Sequence, residues 1–370
     1  MQPSPLHARP LLTIAIPAFN RAALLPPLLA SILSQSMTDW ECLVIEDHSR
    51  ERGEIRAVIK AHEESFAGRL RYLENDETLG YDGNFRRLVH EARGRYFFIM
   101  GNDDLVAPGA LAAVAKTLRE QPEVGVILRA YAFFYSDPNK VYQVNRYYAN
   151  ACTFDAGAPA IIACYRRIVS MSGLVMHRDD AAAVATDRWD GTLFYQHWLA
   201  ANILTKRPAA YIPDILALFR TNGVPEFGTA RAEQGLYTPG IQPPDTDLRM
   251  IRSLMAIAEA VEKERGVPIM KEIRSDYANF MYPTIAHQAH EPWPVFYRFY
   301  RDLGHMRFDR YPMFHFWFWT IALLGAPRVN RVIQFVRRRL GHTPNLTRAA
   351  RPTTRRAPAT ASAERPGEEF

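Results

Sequence analysis

Short apolar runs alternate with amphipathic stretches through the first third of the chain. Residues 11–16 (LLTIAI) form an apolar run closed by Pro17 and read as a buried strand. Residues 41–46 (ECLVIE), 70–74, 96–100 (YFFIM) and 124–134 read the same way. Between them the spacing predicts helices over 26–35, 53–65, 83–92 and 108–120. The first opens on prolines, which an initial helical turn accepts. The third sets Phe85, Leu88, Val89 and Ala92 on one face. Strands apolar throughout, each followed by a helix, predict an α/β fold with a mostly parallel sheet covered on both faces. Ligands bind such sheets beyond the carboxyl ends of the strands, so the residues after each strand carry the candidate chemistry.

The pattern then changes. Residues 139–225 are mixed, with a helix predicted over 192–204 and a strand over 211–219 interrupted by Pro213. Residues 246–304 read as mostly helical, with 248–263 the clearest amphipathic stretch. Residues 312–327 (PMFHFWFWTIALLGAP) are aromatic and apolar but shorter than the ~20 residues of a spanning helix. The arginines of 328–339 follow, and from 344 the composition turns to Pro, Ala, Thr and Arg, which reads as disordered. The domain reading is therefore an N-terminal arm (1–10), an α/β domain (11–225, divided at 135/136), a helical extension (226–343) and a tail (344–370).

Composition narrows the classes. With 48% hydrophobic and 23% charged residues, the 370-residue chain is not disordered as a whole. The 45 Lys and Arg exceed the 39 Asp and Glu only mildly, for a net +6. That excess suits an anionic substrate or a membrane surface as well as nucleic acid. The basic residues gather towards the C-terminus without a nucleic-acid module, so nucleic acid is not an expected partner. Three scattered cysteines, Cys42, Cys152 and Cys164, fit reduced thiols better than a disulfide frame or zinc site. The first ten residues lack the apolar core of a secretory signal, and a cytoplasmic location is expected.

Polar residues follow every strand. The first is followed by Pro17-Ala18-Phe19-Asn20-Arg21, the second by Asp47-His48-Ser49 and the fourth by Gly101-Asn102-Asp103-Asp104. A further run, Leu79-Gly80-Tyr81-Asp82-Gly83-Asn84, opens the third helix. Each Asp alone also fits a helix cap or turn. In combination, IAIPAFNRAALLPPLLASILSQ, WECLVIEDHS, the N-x-x-x-x-G-x-x-x-N run of 75–84 and ARGRYFFIMGNDD resemble the family 2 glycosyltransferases. The resemblance covers about a third of the chain. It implies the GT-A fold, a Rossmann-type mostly parallel sheet flanked by helices, here with a helical C-terminal extension.

The resemblance implies that Pro17, Phe19 and Asn20 line the base and ribose of a nucleoside-diphosphate sugar. Asp47 then hydrogen-bonds the nucleoside, and Asn84 and Asn102 belong to the same donor site. It implies that Asp103 and Asp104 hold a divalent cation, Mg²⁺ or Mn²⁺, on the diphosphate. Hard cations with phosphate take such oxygen ligands. Gly101 stands where the family often has a further Asp. The implied activity is inverting transfer of a hexosyl or deoxyhexosyl group to an acceptor hydroxyl of a lipid-linked or cell-surface glycan precursor in polysaccharide biosynthesis. The usual base position reads Tyr195-Gln196-His197-Trp198, with no acid. His197 is one candidate base and a structural histidine the alternative reading; Asp190 is the other, with an N-cap as its alternative. The absent acid also leaves open a nucleotide-sugar-binding protein without catalysis. Arg220 is expected to pair with the diphosphate, or else to form a surface salt bridge. Phe314, Phe316, Trp317, Phe318 and Trp319 are core, or sit at an anionic membrane surface with the arginines beyond them. The second reading makes the protein peripheral on the cytoplasmic face of the inner membrane.

Overall fold

The computed structural model describes residues 9–221, 223 and 226–353. Most of the predicted arm and most of the predicted tail lie outside them. Strand β1 (Leu12–Ala18) leads into α1 (Leu25–Leu33), and β2 (Trp40–Glu46) into α2 (Arg52–Phe66). Then come β3 (Leu70–Glu74), α3 (Gly80–Glu91), β4 (Tyr96–Ile99), the short β5 (Leu105–Val106) and α4 (Ala110–Glu120). The predicted strand and helix order of this third is met, with the short β5 added to it.

The middle of the chain holds β6 (Val126–Phe134), β7 (Gln143–Asn145), β8 (Cys152–Phe154), α5 (Ala158–Tyr165) and β9 (Leu174–His177). It continues through α6 (Arg178–Ala183), α7 (Tyr195–Leu204) and β10 (Ala209–Arg220). The sheet runs β3-β2-β1-β4-β9-β6-β10-β5, with β7 on β6 and β8 on β10. Strands β3, β2, β1 and β4 are parallel, and β6 and β10 pair in parallel, while β9 runs antiparallel between the two groups. Pro213 does not interrupt β10. The strand shifts register against β6 between Ile212 and Ala217, which takes a residue without an N–H past the ladder.

Helices α8 (Pro244–Arg265), α9 (Met270–Asn279), α10 (Tyr282–His287) and α11 (Trp293–Leu303) follow, then α12 (Pro312–Leu324) and α13 (Ala326–Leu340), which meet at Gly325. The apolar stretch of 312–327 is thus not one helix. Gly325 has φ +80°, a conformation that ends α12 and turns the chain. The aromatics of α12 divide between the two expected roles: Phe314 and Phe318 are fully buried, whereas Phe316 and Trp319 are about half exposed. Among the described residues no helix is long and apolar enough to cross a membrane.

Two apolar cores lie on opposite faces of the sheet. One packs α1, α2 and α4 beneath β1, β2 and β4. The other runs from α3 and α7 without a break into α8, α9, α11 and α12. The helical extension therefore shares an apolar core with the α/β domain. The first residues of the expected tail are also folded. Ala350 is fully buried, Tyr148 donates to its carbonyl, and Thr347 donates to Asp276 at 2.7 Å. A short polar-looking segment can be held in this way when its few apolar and hydroxyl groups each meet a partner.

Candidate functional site

The carboxyl ends of β1, β2 and β4 and the start of α3 surround one cavity of about 430 Å³. Pro17, Phe19, Asp47, Asn84 and Asn102 line it, whereas Asn20 and Asp103, expected at the same rim, do not. Tyr81, Phe194, Glu226 and Glu233 also line it.

Asp47 organises the rim. Its carboxylate accepts from the backbone N–H groups of Leu79 and Gly80 at 2.8 Å each and from the Asn75 side chain at 2.5 Å. The carboxylate that follows β2 thereby caps α3, the second helix after it, whose positive end stabilises it. Burial nonetheless pushes the carboxyl up to about 6, against the lowering effect of these three donors. Asn75 also donates to Asn84, whose own amide donates to the Ile45 carbonyl. The N-x-x-x-x-G-x-x-x-N run is thus a hydrogen-bonded frame as well as a cavity wall. Gly80 has φ +79°, and a Cβ there would lie 2.4 Å from Glu233 Oε1.

The turn after β1 is held by Asn102, whose amide donates to the carbonyls of Phe19 and Asn20. Asn20 (φ 50°) and Arg21 (φ 61°) are both left-handed, and Asn20 donates to Glu226 at 3.2 Å. Asp103 pairs with Arg21 at 2.6 Å and remains partly exposed. Asp104 is buried: Ser172 donates to one oxygen at 2.5 Å and the Arg220 N–H to the other at 2.9 Å. Burial first, and the Asp103 charge second, push the Asp104 carboxyl up. Of the pair, Asp103 is thus the more open carboxylate and Asp104 the enclosed one. Among the described residues no group of three His, Cys, Asp or Glu gathers around a metal position. One or two carboxylates with phosphate oxygens and water suffice for Mg²⁺, so Asp103 fits a cation on a bound diphosphate.

Three other expected residues lie differently. His197 is fully buried between the rings of Tyr165 and Phe194, at centroid distances of 5.0 and 5.3 Å, and does not line the cavity. Burial lowers its imidazole to about 3. A neutral ring sealed in the core reaches no acceptor hydroxyl, which departs from the expectation of a base. Asp190 is bound by Arg86 and does not line the cavity either; burial raises its carboxyl against that arginine. Arg220 turns its guanidinium over Phe134 at 4.8 Å and donates to the Asp103 carbonyl, an arrangement that braces the acidic turn.

Sequence reasoning missed Asp82, Glu226 and Glu233. Asp82 is buried and caps α7, accepting from the N–H groups of Leu193 and Tyr195 at 2.8 and 3.0 Å. Burial pushes it up to about 7. Glu233 accepts from the N–H of Tyr81 at 2.9 Å and of Gly228 at 2.7 Å, tying the segment after β10 across the start of α3. Only a fold that brings residues 80 and 230 together exposes these roles; a local pattern does not.

The family model for glycosyl transferase family 2 matches residues 13–169. The O-antigen biosynthesis protein RfbC of Myxococcus xanthus is 32% identical over 127 residues, 33% of this chain and 10% of that protein. The poly(ribitol-phosphate) beta-N-acetylglucosaminyltransferase TarP of Staphylococcus aureus (strain N315) is 30% identical over 102 residues, 27% of this chain and 30% of that one. The chain spans about a third or less of the length of the curated relatives it matches. The crystal structure of S. aureus TarS 1-349 in complex with UDP-GlcNAc superimposes with a TM-score of 0.55 at 14% identity, covering 90% of this chain and 92% of that one. Residues 13–169 thus match the family 2 glycosyltransferase model, and the sheet topology and the superposition show the GT-A fold.

Proposed function

We propose that the protein transfers a sugar from a nucleoside-diphosphate sugar to an acceptor hydroxyl, with inversion at the anomeric carbon. The observation that carries this reading is the cavity at the strand ends, where Pro17, Phe19, Asp47, Asn84 and Asn102 converge beside Asp103. Phe19 and Pro17 offer an apolar wall to a base, and the asparagine amides offer donors and acceptors to a ribose. A lipid-linked or cell-surface glycan precursor is the acceptor in this reading, in keeping with the names of RfbC and TarP. The same reading keeps the protein cytoplasmic and peripheral to a membrane.

Asp103 would hold a divalent cation, Mg²⁺ or Mn²⁺, which when bound supplies charge neutralisation to the departing diphosphate. Arg21, already paired with Asp103, adds a guanidinium on the same side. Ser172 and Arg220 keep the acidic turn in place through Asp104. For the proton of the acceptor hydroxyl we assign Glu226, a carboxylate that lines the cavity and is held by Asn20. His197 and Asp190 are assigned structural roles. The acceptor oxygen attacks the anomeric carbon as the bond to the diphosphate breaks, Glu226 takes the hydroxyl proton, and the diphosphate leaves with the bonding pair.

Calorimetric titration with a panel of nucleoside-diphosphate sugars, with and without Mn²⁺, tests the donor site. Binding of one donor, weakened in Asp103→Asn, is expected; no binding by any donor would overturn the reading. Glu226→Gln is expected to lower turnover by roughly 10²–10⁴ with donor affinity kept, the contribution of a positioned base. The withdrawal of His197 and Asp190 from the cavity favours a second reading, donor binding without transfer. Tight donor binding with no product on any extracted lipid or glycan would establish it.

A further inference from the structure

We propose that the α12–α13 hairpin is a membrane-docking element that lies flat on an anionic phospholipid surface, with its apolar groove open to the acyl layer. Three observations carry this. First, the outward residues of the two helices are large and apolar: Phe316, Trp319 and Leu323 on α12 are 51%, 46% and 78% exposed, and Val332 and Phe335 on α13 are 64% and 60%. Single exposed apolar residues are ordinary, but a contiguous set is not.

Second, Phe316 and Val332 of this set face a common groove. A groove of about 340 Å³ runs between the helices, walled by Phe316 and Leu324 from one side and Val332 and Val336 from the other. The guanidinium-bearing Arg328 and Arg337 stand on its lining. Third, the charge is of one sign. Residues 310–342 hold six arginines and no Asp or Glu. Among the described residues none of the arginines of α13 has a carboxylate within salt-bridge distance in the structure. An apolar stripe bordered by arginines matches the acyl and phosphate layers of an anionic bilayer.

The geometry selects docking over spanning. Helix α12 has 13 residues, which at 1.5 Å per residue is about 20 Å, short of a ~30 Å hydrocarbon core. Its inner face is already committed, since Phe314, Phe318 and Ile321 are buried in the main core. A second copy of the chain would bring the same arginines face to face, which like charges oppose.

The inference rests on the membrane-peripheral part of the proposed function and not on sugar transfer. The test is flotation of the full chain with vesicles of phosphatidylcholine alone or with about 30% phosphatidylglycerol, because anionic lipid attracts polybasic segments. Recovery with the anionic vesicles is expected to exceed that with neutral ones at least roughly tenfold and to fall as salt rises. Trp319→Glu with Phe335→Glu is expected to abolish flotation. Arg337→Gln, Arg338→Gln and Arg339→Gln together are expected to remove the preference for anionic lipid. Thermal unfolding and donor titration of the same variants should match the wild type, which separates loss of docking from loss of the donor site. Equal flotation of wild type and the aromatic variant would overturn the proposal. So would a dimer in vesicle-free solution that the same substitutions dissociate, since the occupant would then be a second copy.

Discussion

His197 shows how burial decides what a titratable side chain can do. A histidine at the helix position where the family carries its base invites a catalytic role, yet here the ring is enclosed by Tyr165 and Phe194 and burial holds it neutral. His197→Ala is expected to cost about 2–5 kcal/mol of stability, the range for large-to-small core changes. Turnover per folded molecule should be retained, and His197→Phe should recover most of the lost stability. Denaturant melts alongside active-site-normalised rates would show this; a rate loss of 10² or more without destabilisation would return the histidine to the mechanism. The buried carboxyls make a second prediction. Asp47 and Asp82 are raised to about 6 and about 7, so the folded chain binds these protons more tightly than the unfolded one does. Stability from them is present at low pH and is lost as pH rises from the unfolded value near 4 through 6 to 7. Glu74 and Asp179 are held down to about 2, chiefly by Arg56 and Arg9 respectively, and act the other way, losing their contribution below pH 4. The melting temperature is therefore expected to rise between pH 8 and about pH 5 and to fall below about pH 4. A melting temperature that climbs steadily from pH 5 to pH 8 would contradict the assignment.

Among the elements, α3 joins the fold to the site. Its first turn is capped from outside by Asp47 on one side and by Glu233 on the other, and Gly80 sits between them with φ +79°. Gly80→Ala is expected to destabilise the chain by at least about 1 kcal/mol from the left-handed backbone alone. Because Glu233 Oε1 and the Ala230 side chain occupy the space a Cβ needs, the segment after β10 must also move. Donor affinity should then fall together with melting temperature, measured by titration and thermal unfolding; unchanged affinity would mean that the strap does not shape the cavity. The sequence already located α3, because Phe85, Leu88 and Val89 repeat on one face, and it located the rim, because Asp47 and Asp103 each follow a buried strand. It did not separate Asp103 from Asp104, since one is open beside Arg21 and the other is enclosed by Ser172, 68 residues away. Nor did it find Glu226 or Glu233, whose partners, Asn20 and Tyr81, lie 206 and 152 residues away. Periodicity reports which face of an element is buried; it carries no record of which distant element covers it.

At the scale of the whole molecule, the joint between the sheet and the helical extension is an ionic one set within an apolar core. Asp276 on α9 is 1% exposed and receives Arg166 at 2.9 Å and Arg167 at 3.1 Å from the turn after α5. Thr347, from the segment that closes the fold, donates to its other oxygen. Burial alone would raise this carboxyl, but Arg167 and Arg166 outweigh it and hold it below the ordinary range. Removing the charge leaves two guanidinium groups in the core without their partner, which costs about 3–5 kcal/mol when a buried pair is broken from one side. Asp276→Asn keeps the size of the side chain and isolates that effect. Because one continuous core runs from α3 and α7 into α8, α9 and α12, the loss should be felt by the sheet as much as by the helices. Native-state hydrogen exchange reads both at once. The slowest amides of β1 and β2 and those of α8 and α9 are expected to lose protection together, by roughly 10²–10⁴-fold, as members of one cooperative unit. If the helices lost protection while the sheet kept it, the chain would be two domains joined near residue 225, and the shared core would not be a unit of folding.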